Sequence, residues 1–195
     1  MKRSLVSVLV VVVSGCAVVK SSMVRPDWAS EDAGKVKRLA LVVQPLPAGQ
    51  QKAGEVFARI ARRYVNMKRD FLVKQEVVSA EPVKLEALCG GDDAIEGVLV
   101  LHVDAKKVGE GYESELTAGL LRCTDLREAW SAKAGGSFPS KDEKLVEVTA
   151  VYTREFGAEA EPFVTVGMNL LRPVLDTLPN PSLTEADKEE KLSLD

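Results

Sequence analysis

Histidine is almost absent from this sequence: His102 is the only one. Ser-His-Asp hydrolysis or a histidine-rich metal centre would have to rest on that residue alone. The three cysteines, Cys16, Cys89 and Cys123, form no C-x-x-C pair, so the closely spaced ligand sets of zinc sites are missing. Aromatic residues make up 5% of the chain. Trp28, Trp130 and Tyr112 are too scattered to outline a stacking platform for a glycan or peptide. No P-loop, G-x-G-x-x-G, G-x-S-x-G or H-E-x-x-H occurs, which removes the usual signatures of nucleotide, hydrolase and zincin chemistry. No apolar run approaches the roughly 20 residues of a membrane-spanning helix. Excess positive charge is lacking too: 26 Lys and Arg face 29 Asp and Glu, a net charge of −3. An acidic chain is a poor candidate for binding nucleic acid, and none is expected as a partner.

What is present begins at the N-terminus. Lys2 and Arg3 precede the nine-residue, charge-free apolar core Leu5–Val13, which ends in Val13-Ser14-Gly15-Cys16. A basic n-region, a short apolar core and small residues are the parts of a secretory signal. The cysteine directly after Ser14-Gly15 resembles the lipobox of bacterial lipoproteins. That resemblance implies cleavage between Gly15 and Cys16, a diacylglyceryl thioether on Cys16, and N-acylation (palmitate or a similar chain) of the new terminus. Several acyl chains on one residue make a stable anchor. The resemblance implies no other cofactor. Ala17 stands where an aspartate would retain a lipoprotein at the inner membrane in the common proteobacterial pattern. Its presence there implies the outer membrane, periplasmic face.

Residues 1–15 are therefore set aside as a signal peptide, 16–34 are expected to be a lipidated tether, 35–182 an α/β domain and 183–195 a charged tail. The tether assignment follows from Lys20-Ser21-Ser22, Pro26 and Ser30-Glu31-Asp32, which show no apolar period, although Trp28 is also able to pack back onto the domain. Apolar content of 46% and charged content of 28% are those of an ordinary water-soluble domain.

Along the domain, Leu39–Val43 is a Val-rich continuous run that predicts a strand buried on both faces. Gly54–Met67 places Val56, Phe57, Ile60, Tyr64 and Met67 at helical spacing. Phe71–Val78 predicts a second strand, and Glu81-Pro82 the opening of a short helix that Cys89–Asp93 stops. Gly97–Val108 is the clearest central strand. The link Gly109-Glu110-Gly111 joins it to Tyr112–Thr124 as a hairpin, and Arg127–Ala134 is a further strand ending at Gly135-Gly136. Ser140-Lys141-Asp142-Glu143 reads as a capping box before a helix over Leu145–Phe156 that Gly157 ends. Glu161-Pro162 opens a last helix, interrupted by Pro173 and closed at Leu178-Pro179. The order β-α-β-α-β-β-β-α-α predicts an α/β (α+β) sandwich with a mixed sheet of about four to five strands and packed helices.

The chemistry-bearing residues each have two readings. His102 and Asp104 share a strand face and would suit a general base with its orienting carboxylate; an ordinary sheet-face histidine gives the same pattern. Gly90-Gly91-Asp92-Asp93 would offer oxygen ligands to a divalent cation or be an acidic turn; no metal is expected. Glu113 and Glu115 would serve as an acid/base pair or line an exposed sheet face. Cys89 and Cys123 are open to a structural disulfide, to two reduced buried thiols, or to redox or metal chemistry. Residues 35–74 hold ten cations against two anions, Glu55 and Asp70. Arg59, Arg62, Arg63, Lys68 and Arg69 are there either a basic face toward anionic lipid, cell-wall polymer or an acidic partner, or a helix face that pairs with acidic residues from later in the chain.

The lipobox, the Lys35–Gln44 strand, Phe57-Ala58-Arg59-Ile60-Ala61-Arg62-Arg63-Tyr64 and the closing Leu178-Pro179-Asn180-Pro181 together resemble a lipoprotein family of myxobacteria and leptospires. That family has no established activity, so the resemblance implies a role only for Cys16. The element order also resembles small α/β envelope lipoproteins of the curli-secretion and peptidoglycan-synthase-activator types. The expectations are, in order, a non-enzymatic envelope lipoprotein that binds a protein or cell-wall partner, a subunit of an oligomeric export channel, and an enzyme using carboxylates or Cys89 and Cys123.

Overall fold

In the computed structural model, which describes residues 18–44, 50–79 and 81–194, the Val-rich run lies near the middle of the sheet. β2 (Arg38–Val43) pairs in parallel with both β3 (Leu72–Val78) and β4 (Gly97–Val108). A strand between two others, with side chains from Leu39 to Val43 fully enclosed, needs apolar residues on both faces, which explains the unbroken run. A parallel step needs a crossover, and α2 (Gln51–Lys68) supplies the one from β2 to β3. β4 then turns through a two-residue loop into β5 (Gly111–Arg122), and β5 into β6 (Glu128–Pro139), both antiparallel. Gly109 takes the first loop position at φ +60°, the conformation a type II′ turn requires there and one that suits glycine.

The sheet has six strands, one more than the upper expectation, in the order β1-β6-β5-β4-β2-β3. The extra strand is β1 (Val19–Val24), antiparallel to β6 at the edge. Residues 18–34, within the stretch read as a tether, are thus part of the domain. Arg25 and Arg122 grip the buried carboxylate of Asp32, and Trp28 of α1 (Trp28–Glu31) packs on Phe71 with ring centroids 6.3 Å apart. β1 shows no apolar alternation because five of its six side chains are exposed, as edge strands commonly are.

α2 and α4 (Glu161–Leu175) cover one face of the sheet, and α3 (Val146–Phe156) packs against those two helices. Phe57 and Ile60 of α2, Val166 and Leu170 of α4, and Leu101, Leu116 and Trp130 of the sheet share one core.

Four local expectations change. The helix expected after Pro82 is a single 3-10 turn, Leu85–Leu88, since too few residues separate Pro82 from Gly90-Gly91 to nucleate an α-helix. β6 runs through Gly135-Gly136 to Pro139. Lys20 lies across Gly135, where a Cβ would come within 2.8 Å of its Nζ, so glycine admits a close approach. Ser140 caps nothing: its hydroxyl and amide both donate to the Glu110 carbonyl, and α3 begins only after a 3-10 turn at Glu143–Leu145. The tail instead carries a capping box, Thr184 with Asp187, opening α5 (Glu185–Leu192).

Candidate functional site

Three arginines of the predicted basic face are engaged inside the fold by two carboxylates. Arg59 and Arg62 both reach Glu76 of β3, at 3.0 and 3.3 Å. Arg59 also binds Glu155 of α3, and Arg63 reaches the same carboxylate at 2.9 Å. The guanidinium of Arg63 lies 5.0 Å from the Tyr152 ring centre and that of Arg59 5.7 Å from Phe156. Burial raises the Tyr152 phenol above its ordinary pKa despite Arg63 nearby. Arg69 donates to the Leu178 carbonyl. These side chains clamp α3 and the end of α4 onto α2. Arg59, Arg62 and Arg63 thus pair with acidic residues from later in the chain, three guanidinium groups sharing two carboxylates. Lys68 is exposed at the end of the same helix. Arg59→Glu places a like charge against both Glu76 and Glu155. It is expected to cost about 1–3 kcal/mol of stability, read as an earlier urea midpoint; an unchanged midpoint means the pairs contribute nothing.

Sequence spacing brings His102 and Asp104 to the uncovered face of β4, opposite Thr117 and Glu115 of β5. Glu115 is engaged by Lys20 at 2.6 Å, and that bond holds its carboxyl below the ordinary range. The Glu113–Glu115 pair thus sits on an exposed polar face. Gly90 and Gly91 adopt φ of +74° and +67° in a turn closed by a Gly90–Ile95 bridge. Among the described residues no group of three or more metal-ligating side chains comes together. Trp28 and Trp130 are core residues, and the indole of Trp130 donates to Thr177 Oγ1 at 3.3 Å.

Cys89 and Cys123 are bridged, with Cα atoms 5.5 Å apart. The bond ties the loop after the 3-10 turn to the end of β5. Beside it, the Glu96 carboxylate accepts from the amides of Lys37 and Arg38 at 2.8 and 2.9 Å, so a covalent bond and hydrogen bonds together secure one end of the sheet.

Two features carry no sequence motif. One is the acidic cluster of α5: Asp187 meets Lys37 at 2.7 Å and Arg38 at 2.9 Å, and Glu190 meets Lys74 at 2.7 Å. The other is a groove of about 880 Å³ at the opposite end of the sheet. Its walls are the β4–β5 hairpin, the end of β6 and the start of α4, with Val108, Tyr112, Phe138 and Pro162 apolar and Lys107, Glu113 and Lys141 charged. The Tyr112 ring packs on Phe163, centroids 5.7 Å apart, and Lys141 meets Glu161 at 3.2 Å. Ser137, Ser140, Glu110 and Glu161 complete its polar lining.

The signal peptide expected at residues 1–15, with Gly15, and the lipidation residue Cys16 lie outside the described residues. Among the described residues no helix is long and apolar enough to cross a membrane.

No protein-family model matches the chain, so the lipoprotein family named above is not shown by that comparison. No curated protein matches it either. Among solved structures, the PelC dodecamer from Paraburkholderia phytofirmans is similar at 14% identity and a TM-score of 0.48, over 83% of this chain and 97% of that one. The hypothetical protein CT253 from Chlamydia trachomatis is similar at 11% identity and a TM-score of 0.46, over 72% and 94%. Lipoprotein GNA1162 from Neisseria meningitidis is similar at 18% identity and a TM-score of 0.37, over 60% and 97%. All three scores fall below 0.5, and no assembly, ligand or role passes from those proteins to this one.

Proposed function

We propose that this chain is a bacterial cell-envelope lipoprotein, held through lipid on Cys16 at the periplasmic face of the outer membrane, whose α/β domain is a non-enzymatic binding or assembly module. The observation that carries the proposal is the sequence Val13-Ser14-Gly15-Cys16 directly behind Lys2, Arg3 and the apolar core Leu5–Val13. The Cys89–Cys123 bridge supports it, because disulfides persist in oxidising compartments such as the periplasm. With the arginines of α2 engaged, the contact surfaces of the module are the uncovered face of β4–β5–β6 and the groove at the hairpin end.

Fractionation of the native host tests the proposal. Wild-type protein partitions with outer membranes and takes up labelled palmitate; Cys16→Ser protein takes up none and leaves the membrane fraction. Equal membrane retention of both proteins contradicts the anchor.

An assembly of identical subunits is the second reading. It is favoured by the outer edge of β1, which pairs with no other strand among the described residues and so offers its amides and carbonyls for strand addition. Native mass after gentle extraction and mild crosslinking decides between the two: a closed ring of copies supports the second reading, and a complex with a different envelope protein supports the first.

A further inference from the structure

We infer that the domain sits directly on the bilayer, with the hairpin end of the sheet turned to the lipid headgroups and the groove opening at that contact; this rests on the lipid at Cys16. The first argument is chain length. The carbonyl of Val18 already accepts from the Gly135 amide at 2.9 Å, so Val18 belongs to the folded body. Two peptide links separate it from Cys16, and two links span at most about 7 Å. A lipid on Cys16 therefore has no tether, and the bilayer surface must pass close to the start of β1.

The second argument is direction. β1 begins opposite Ala134 and runs antiparallel to β6. The chain that precedes β1 therefore approaches from the side on which β6 ends at Pro139, β5 begins at Gly111 and β4 ends at Val108. At about 3.3 Å per residue and 4.8 Å between strands, those three ends lie roughly 15–20 Å from Val18. The rest of the body extends the other way: α5, the disulfide and the beginnings of β2 and β3 stand about 40 Å from the hairpin tip, the length of a twelve-residue strand. β1 is the edge strand, so a plane that touches its start and leaves the body on one side runs along that edge or past the hairpin corner, and the side chains at the corner favour the second.

The chemistry of that corner suits a headgroup layer. Val108 is 46% exposed at the tip, next to Lys106 and Lys107, whose aliphatic stems are able to lie on an apolar boundary while their ammonium groups meet phosphates. Glu110 and Glu113 share the corner, so it is not a uniformly basic patch. The contact is imposed by the anchor, and raised salt is not expected to release it.

The test uses full-length protein lipidated in its host and reconstituted into phosphatidylethanolamine–phosphatidylglycerol vesicles. A polarity-sensitive fluorophore is placed at Val108→Cys or, at the far end, at Leu192→Cys, where the native side chain is 81% exposed. Nitroxide-bearing lipids serve as quenchers. The expected result is quenching at position 108 several-fold stronger than at 192, unchanged in high salt. Ser137→Cys, exposed on the neighbouring strand end, repeats the reading without touching the hairpin tip. Equal quenching at both ends, in protein whose mass confirms lipid on Cys16, overturns the orientation and leaves the anchor standing. Protein whose mass shows no lipid there overturns both.

Discussion

Replacing Asp187 by alanine lowers the stability of this domain by about 3–5 kcal/mol, the cost of stranding a buried charge. Asp187 is 4% exposed, and it touches Lys37, itself buried, and the half-buried Arg38. The same carboxylate accepts from the amide and hydroxyl of Thr184, so one substitution removes the reciprocal half of the capping box and leaves the buried Lys37 without its partner, while Arg38 keeps Glu190 and Glu96. A loss of that size moves the melting temperature of a domain this long by roughly 10 °C. Asp187→Asn keeps an acceptor for the cap and is expected to lose less. Truncation after Leu183 is expected to behave like Asp187→Ala or worse, because Arg38 and Lys74 then also lose Glu190. A melting temperature unchanged by either variant means that α5 is not part of the cooperative unit.

The same cluster sets a pH dependence. Lys37 and the Thr184 amide hold the Asp187 carboxyl well below its ordinary value, and Arg38 followed by Lys74 lowers that of Glu190. Carboxyls whose folded pKa lies below the unfolded one contribute stability in full above the unfolded values, near 4. That contribution is lost as pH falls from there through the folded values. Wild-type protein is expected to weaken below about pH 4, and the Asp187→Ala variant to show a shallower decline. Urea titrations at pH 7 and pH 3 read both slopes.

The Cys89→Ala/Cys123→Ala double variant is expected to lose a further large increment. The bridge closes an interval of 34 residues, which in the chain-entropy model is worth about 3–4 kcal/mol. The interval holds the Gly90-Gly91 turn and all of β4 and β5, and the bridge pins its loop at the end of the sheet away from the groove. The expected drop is again roughly 10 °C, with the far-ultraviolet spectrum retained at room temperature. Removing both cysteines avoids a lone thiol. Identical melting curves for wild-type and variant protein mean that the closed loop is already constrained by its hydrogen bonds.

The sequence was most legible where one physical demand acted alone. Leu39–Val43 had to be apolar on both sides, and Gly97–Val108 with its partner strand had to alternate around a turn that Gly109 permits; both appear at those places. α2 showed its buried face through Val56, Phe57 and Ile60. β1 was hidden because an edge strand with exposed side chains carries no period, and Lys20-Ser21-Ser22 reads as loop. α5 was hidden because it is short and charged, and its buried carboxylate finds its partners at Lys37 and Arg38, about 150 positions earlier. The arginine-rich stretch stayed open between two readings for the same reason: its partners Glu76 of β3 and Glu155 of α3 are brought against it only by the fold. Cys89 and Cys123 were accessible by elimination once Cys16 was assigned to lipid, but nothing local shows that they meet. The groove was not legible, because its walls come from the hairpin, β6 and α4, and no motif marks any of them.

The central claim is the lipid on Cys16, from which both the location and the seating of the domain follow. Mass spectrometry of the N-terminal proteolytic peptide, taken from protein isolated out of its native membranes, tests it most directly. The account predicts a peptide that begins at Cys16 and carries a diacylglyceryl group and an amide-linked acyl chain. A peptide that begins at Met1, or that spans Gly15 and an unmodified Cys16, contradicts it.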